Sequence, residues 1–593
     1  MRSKYLDVLK AFAIIAVVFY HSSFFTYGYL GVDLFLVIAG YLTTKSLTGK
    51  ILKENMGEGK SSCKQYLDFE LSRIERLLPP LIIAGIICMS IGFFVMIDDT
   101  YESLSQSVIA TNFFGNNIVE LIATGNYWAN DKMFSPLMHT WYVGLVMQFY
   151  LVYPLLFFCA KFDKKTPENT LFKIIAVLAV VSLLVFLGEE DTARRFYLLP
   201  ARFFEFAVGG MVALRYNSKV DKPFGKVFVY FCYVLILLLF IINKEFMPSN
   251  LRLLVVVTLS AVLICSQGVL ENNISGNKYL ARIGAASYSI FVWHQVVLAF
   301  YRSCFGSHYN ALQYTLCLLV VVLFSWLSYR FIEQRTGELL KSIRGKRRLF
   351  VVYGVLFVIL NALTLYVYKK AGVVRDIPEL EVSRNNIQRG RWSQYNERIR
   401  SWDRPFETEK QHWLIIGNSF ARDFINIINE STIASKVETA YCDGNGKNFM
   451  KAKYEEQFIN ADKIFIASKD FTEEMVREVE IRALAFDHTL EDVIVVGEKD
   501  FGETMTQVYI RRYKDDYFDS YIQMKPGFAE RNEYFKKLYG DRYIDLYSIL
   551  KNDKGDVRAF TDNKKFISSD CHHLTLSGAA YFAQFIEFDK YIK

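Results

Sequence analysis

The chain lacks any cysteine pattern on which a metal site or a disulfide framework could be built. Its nine cysteines include no CxxC pair and no ligand cluster, so no zinc site and no bound metal are expected. Cys442 and Cys571 could meet in the C-terminal part. No small-residue cleavage site follows the apolar stretch Leu6–Phe25, which therefore reads as a retained span rather than a signal peptide. Charge is scarce as well: 22% of the 593 residues are charged, against 52% hydrophobic and 16% aromatic. The net charge of +8 is concentrated in short loops between apolar runs. That is a membrane-topology pattern, and it excludes nucleic acid as an expected partner.

What is present divides in two. Residues 1–370 carry apolar segments near 7–25, 30–48, 77–97, 137–160, 171–188, 197–214, 225–242, 250–269, 286–303, 311–333 and 349–368, eleven expected spans of a bilayer. Lys50, Lys53, Lys60, Lys64, Arg73, Arg76, Lys161, Lys164, Lys165, Arg215, Lys219, Lys222, Lys226, Lys278, Arg282 and the run from Arg335 to Arg348 fall in loops of one side. The other side holds only Lys132, Arg194, Arg195, Lys244 and Arg302. Positive-inside bias then puts the N-terminus in the cytoplasm, and an odd number of spans puts everything after Tyr368 outside. The outward loop 98–136 carries Phe113, Phe114, Tyr127 and Trp128, as a cap or as an interfacial aromatic belt.

Two ionisable residues lie inside the first apolar segment. The eleven steps from Lys10 to His21 rise about 16 Å on a helix, about half of a hydrocarbon core about 30 Å thick. A histidine at that depth is costly, which makes it a functional expectation; its ordinary alternative is a hydrogen bond between helices.

The remainder reads as a soluble domain. A polar, mixed-charge stretch at 371–410 is a linker or an extension of residues 411–593. Strands are expected at His412–Gly417, Val437–Tyr441, Lys463–Ala467, Asp492–Val496 and Tyr543–Leu546, with helices between them and a last helix over about Ser577–Phe588. That alternation predicts an α/β/α domain with a mainly parallel sheet. Ser419 follows the first strand and opens a helix, where a hydroxyl and a backbone N–H both face the carboxyl edge of the sheet. Near the C-terminus, Asp570 stands three residues before His573, a spacing at which a carboxylate can orient an imidazole as base for a serine. Ser419 alone could equally be a helix N-cap; early strand–Ser–helix with late DxxH favours catalysis.

These blocks resemble the first and last motifs of SGNH (GDSL-like) hydrolases, with Gly417-Asn418-Ser419 where the family usually has GDS. The resemblance implies an SGNH-hydrolase-like fold with Ser419 as nucleophile, His573 as base and Asp570 as its orienting acid. Its oxyanion donors would be the Ser419 N–H with Gly444, Asn445 or Ser468. The membrane part resembles the acyltransferase 3 family over 1–345, with a linking transmembrane helix at 346–370. The resemblance rests on Lys10-x10-His21, Gly31-Val32-Asp33-Leu34-Phe35 through Gly40, Arg73-Ile74-Glu75-Arg76, His139-x-Trp141, Gln148-Phe149-Tyr150, Arg202 to Phe206, and Ser287 to His294. Val146 and Met147 stand where that family usually has glutamates.

The two resemblances imply a multi-pass membrane O-acyltransferase fused to an outer Ser-His-Asp domain, in a bacterial inner (plasma) membrane, with that domain periplasmic or extracellular. The donor would be acetyl-CoA or another acyl-CoA, with no bound cofactor. The acceptor would be a surface or secreted glycan: O-antigen, peptidoglycan, capsule or a secreted polysaccharide. Lys10, Arg73 and Arg76 would hold donor phosphates, or serve only as topology anchors. His21 would act as general base with Asp33 as partner, and His139, Trp141 and His294 would line the acceptor site or pack at the interface. Arg202 and Glu205, one turn apart, are expected to pair with each other. A transporter of lipid-linked glycan or acyl donor, fused to an esterase or glycan-binding domain, is the alternative of another class; transport needs no His21 base.

Overall fold

The computed structural model describes residues 3–49, 62–124, 130–163, 165–216, 224–242, 247–267 and 277–592. Lys50, Lys53, Lys60, Tyr127, Trp128, Lys164, Lys219, Lys222 and Lys244 lie outside them. The chain separates into two compact units. Met1–Gly92, Leu104–Arg302 and His308–Tyr366 form one, and Phe93–Ser103, Ser303–Ser307 and Val367–Lys593 the other.

The first unit is helical. The helices that build its site are α1 (Lys4–His21), α2 (Gly31–Leu47), α3 (Ser62–Val95), α4 (Trp141–Ala160), α5 (Leu199–Arg215), α6 (Lys278–Ala285) and α7 (Ser287–Phe305). In their described residues all eleven apolar segments fall mainly on helices, but fewer meet the requirements of a span. Among the described residues, seven helices are long and apolar enough to cross a membrane, or eight if the pair α6–α7, bent by 67°, counts as one. Lys226–Ile241 and Ser249–Cys265 are shorter, and α1 carries Lys4, Asp7 and Lys10 within its 18 residues. The expected loop at 98–136 is largely helical, over Asp98–Asn112 and Asn116–Thr124.

Two glycines explain how α2 and α5 cross. A Cβ on Gly40 would lie 1.9 Å from the Phe206 carbonyl oxygen, and one on Gly209 would lie 2.0 Å from that of Val37. The backbones touch directly, the arrangement that small residues permit between membrane helices. Gly284 does the same for α6 against α1, where a Cβ would meet the Asp7 carbonyl.

The second unit is α/β. The segment expected as a linker or extension is an extension, because Val373, Ile377, Leu380, Val382 and Ile399 are buried in its core. It includes a short helix, α8 (Trp392–Glu397). The sheet comprises β1 (Gln411–Gly417), β2 (Val437–Asp443), β3 (Lys463–Ile466), β4 (Val493–Val496) and β5 (Tyr543–Ile544), all parallel, in the order β2-β1-β3-β4-β5. Side chains alternate between its faces. Trp413, Ile415, Phe465, Ile494 and Val496 join one core, and Leu414, Ile416, Ile464, Ile466, Val493 and Val495 the other. Helix α9 (Ser419–Asn429) covers the first face, and Glu473–Ala485 the second. Cys442 and Cys571 form no disulfide, since they belong to these two different cores. A two-stranded antiparallel sheet, Tyr521–Ile522 with Val557–Arg558, was not expected from the sequence.

Gly40→Leu should destabilise the detergent-solubilised protein by at least about 1–3 kcal/mol through overpacking. Gly354→Leu, at a glycine with open space around it, should leave thermal unfolding unchanged. Equal melting of the two variants would refute backbone contact between α2 and α5.

Candidate functional site

Two polar clusters stand out, one in each unit. In the helical unit, His21 is the last residue of α1, and its ring centroid is 5.1 Å from that of His294. His139, in the turn that opens α4, is 5.2 Å from His294. His294 Nδ1 donates to the Phe291 carbonyl at 2.7 Å, and Nε2 is buried without a hydrogen-bond partner among the described residues. Three histidines distant in sequence therefore form one row, with His139 and His294 buried and His21 half-buried. No group of His, Cys, Asp or Glu among the described residues is arranged to hold a metal ion.

A cavity of about 140 Å³ approaches this row, lined by Lys10, Arg73, Arg76, Tyr142, Tyr288 and Phe291 among others. Phe291 joins the two features, because its ring also touches His139 (5.0 Å) and His294 (5.7 Å). Arg73 lies over the rings of Phe69 and Tyr150, and Lys10 pairs with Asp7 at 3.3 Å. Val146, where a carboxylate was noted as usual, lines the same cavity.

Two expected residues stand elsewhere. Asp33 accepts from Arg202, which also pairs with Glu205 at 3.1 Å, all three almost fully buried. This ionic group joins α2 to α5, with Arg202 rather than His21 as the partner of Asp33. Trp141 packs on Phe196 (4.5 Å) and Tyr197 (5.8 Å). Arg302 was counted only as a loop charge, yet it donates to the carbonyls of His21 and Met133. Its place on the helix of His294 was the available signal.

In the α/β unit, β1 ends at Gly417, whose φ of +153° and tight approach to the Ala467 carbonyl (1.9 Å from a built Cβ) admit only glycine. Asn418 then caps α9. Its Oδ1 accepts from the Phe420 and Lys469 N–H groups at 3.1 and 3.2 Å, a task the usual aspartate could share. Ser419 follows as the first residue of α9. The Asp570–His573 turn wraps its own carboxylate, with the His572 and His573 N–H groups donating to Asp570 Oδ1 at 3.0 and 2.8 Å. Cys571 adopts a φ of +73° to make this possible, a region uncommon for a side-chain-bearing residue.

The side chains form one hydrogen-bonded chain. His573 Nδ1–H donates to Asp570 Oδ2 at 2.6 Å, and Nε2 accepts from Ser419 Oγ at 2.7 Å. Burial alone would raise the Asp570 carboxyl, but His573 holds it well below the usual carboxylate range. Burial likewise pulls the His573 imidazole down, and the Asp570 carboxylate outweighs it, so the ring titrates above its ordinary value. Such a chain can deprotonate a serine for attack on an acyl carbonyl.

The oxyanion expectations fare unevenly. The Gly444 N–H donates to the Gly417 carbonyl at 2.9 Å, and the Asn445 N–H to Asp443 Oδ1 at 3.0 Å. Both donors are engaged at the carboxyl edge of the sheet. Ser468 is buried beside them, its hydroxyl 3.4 Å from the Lys469 carbonyl. Sequence reading missed Asp423, Asn396 and Lys499, which lie behind the chain. The i,i+4 spacing of Ser419 and Asp423 was the signal for the first.

A putative O-acetyltransferase of Staphylococcus aureus strain COL is 28% identical over 351 residues, 55% of this chain and 56% of the relative. The O-acetyltransferase OatA of Staphylococcus aureus strain NCTC 8325 is 24% identical over 347 residues, with the same shares. The chain thus spans little more than half the length of the curated relatives it matches. No solved structure matches it. The family model described as "Acyltransferase domain" matches residues 3–330, more than half of the sequence, and the chain therefore belongs to the acyltransferase 3 family.

Proposed function

We propose that this protein is a membrane O-acetyltransferase that acetylates a hydroxyl of a cell-surface or secreted glycan, with acetyl-CoA as donor. The observation that carries the reading is the hydrogen-bonded Ser419–His573–Asp570 chain, in a protein whose other unit belongs to an acyltransferase family. The orientation follows from positive-inside bias, with the N-terminus cytoplasmic and the α/β unit, read as SGNH-like, outside the membrane.

The donor is polyanionic, and the cavity that holds Lys10, Arg73 and Arg76 supplies cations for its phosphates. The thioester carbonyl would then lie toward Phe291 and the histidine row. His21 acts there as general base, in a row that includes His139 and His294 as acceptor-side groups. In the α/β unit Ser419 Oγ attacks the acetyl carbonyl as its proton passes to His573 Nε2. The negative oxygen formed is met by the Ser419 N–H at the α9 N-terminus. Collapse breaks the bond between that carbonyl and the oxygen or sulfur of the carrier to which the helical unit would first pass the acetyl group from acetyl-CoA, and the carrier takes the proton from His573 and departs, leaving acetyl-serine. A glycan hydroxyl, deprotonated by His573, attacks this ester and regenerates Ser419. Because Gly444 and Asn445 already use their backbone N–H groups, neither is assigned as the second oxyanion donor through its backbone.

A fluorophosphonate probe should label the wild-type protein on Ser419 and leave Ser419→Ala unlabelled, with glycan O-acetylation, read by mass spectrometry, lost in that variant. Unchanged product in Ser419→Ala would remove Ser419 as the nucleophile. The labelling rate should rise with pH as His573 loses its proton, with a midpoint above 6.5; Asp570→Asn should move that midpoint down. A midpoint at or below 6.5 in the wild type would contradict the Asp570–His573 pairing. His21→Ala should cut acetylation about 10²- to 10⁴-fold, the usual contribution of a general base, while Ser419 labelling persists. Full acetylation by that variant would favour transport over transfer in the helical unit.

A further inference from the structure

Behind the catalytic chain lies a second set of buried polar groups that takes no part in proton transfer. Asp423 stands one turn after Ser419 on α9 and is fully buried. Its Oδ1 accepts from Asn396 Nδ2 on α8, and its Oδ2 accepts from the Leu574 N–H at 3.1 Å. Asn396 Nδ2 also donates to the Ser419 carbonyl at 3.1 Å. Lys499, just beyond β4, places Nζ 2.8 Å from Asp423 Oδ2 and 3.3 Å from the centroid of the Phe420 ring.

Ser419 and His573 are 154 positions apart and ride on different segments. Their mutual hydrogen bond, worth about 1 kcal/mol net, does not by itself hold a helix and a loop in register. Asp570 cannot do so either, because it belongs to the same turn as His573 and moves with it. Asp423 can. It is covalently part of the serine helix, and it grips the backbone N–H of the residue next to His573. A carboxylate buried alone would cost several kcal/mol, and the Lys499 ammonium at 2.8 Å offsets part of that cost.

We propose that Asp423, charge-balanced by Lys499, is a positioning residue of the triad: its carboxylate ties the helix of Ser419 to the loop of His573 and so fixes the distance between Oγ and Nε2. This rests on the reading of Ser419 as nucleophile. Both carboxylate oxygens face N–H donors, so an amide at 423 would turn an NH₂ group toward one of them. Asp423→Asn therefore cannot reproduce the clamp even though it keeps the shape.

The test uses the full-length chain in detergent and a fluorophosphonate probe, comparing wild type, Ser419→Ala and the double variant Asp423→Asn with Lys499→Met. Removing both charges avoids an unpaired ion, so the double variant should unfold near the wild-type temperature. Its maximal labelling rate should nevertheless fall about 10- to 100-fold, as expected for a misplaced reacting pair, with the half-saturating probe concentration unchanged. A folded double variant that labels at the wild-type maximal rate would show Asp423 to be packing only. If the double variant fails to fold, Asp423→Asn alone carries the same test, since it removes the carboxylate that accepts from the Leu574 N–H and keeps Lys499 in place; slower labelling supports the clamp and wild-type labelling overturns it. Absence of Ser419 labelling in the wild type would instead defeat the nucleophile reading, and the clamp with it.

Discussion

Charges taken out of water must meet opposite charges or hydrogen-bond donors at close range, and that requirement fixes how both units pack. In the helical unit Asp33, Arg202 and Glu205 sit almost wholly buried at the crossing of α2 and α5. Gly40 and Gly209 let the same two backbones touch. The ionic group sets which turn of one helix faces which turn of the other, and the glycines set how near they come. Leucines in place of the charges would pack more freely and specify less.

The α/β unit follows the same rule on a smaller scale. Asp570 and His573 stabilise one another's charged forms, while Asp423 and Lys499 pair at 2.8 Å one layer deeper. Burial pulls the Lys499 ammonium below its ordinary value, and Asp423 acts against that pull. Arg391 is a third instance. It faces Asp99 at 2.6 Å and Glu102 at 2.8 Å, residues 292 and 289 positions away in the chain. A cation that reads in sequence as one more charge of a polar stretch is in fact enclosed by acids from Phe93–Ser103, a part of the same unit.

The cavity and the histidine row are two adjoining features of the helical unit. Basic residues line one feature and imidazoles form the other, with the Phe291 ring lining the cavity and in contact with His139 and His294. The polyanionic donor and the acceptor hydroxyl proposed above would make opposite electrostatic demands, which two separate groups of side chains would meet. Val146 gives this lining an apolar side chain at a position where the resembled motif usually has a glutamate.

Much of this was legible in the sequence because periodicity and local spacing are local properties. The β strands stood out as short apolar runs bounded by polar turns, and all five were placed within a few residues. Ser419 at a strand–helix junction and the three-residue step from Asp570 to His573 are likewise local, and their geometry follows from backbone conformation. The eleven apolar segments were also local facts, but how many cross a bilayer depends on helix length and on charges such as those of α1. Only the tertiary structure decided which buried charge meets which. It gave Asp33 to Arg202, engaged the Gly444 N–H with Gly417, placed Cys442 and Cys571 in separate cores, and gathered His21, His139 and His294 into one row. Pairing energies act between groups that the fold brings within a few ångströms, whatever their separation along the chain.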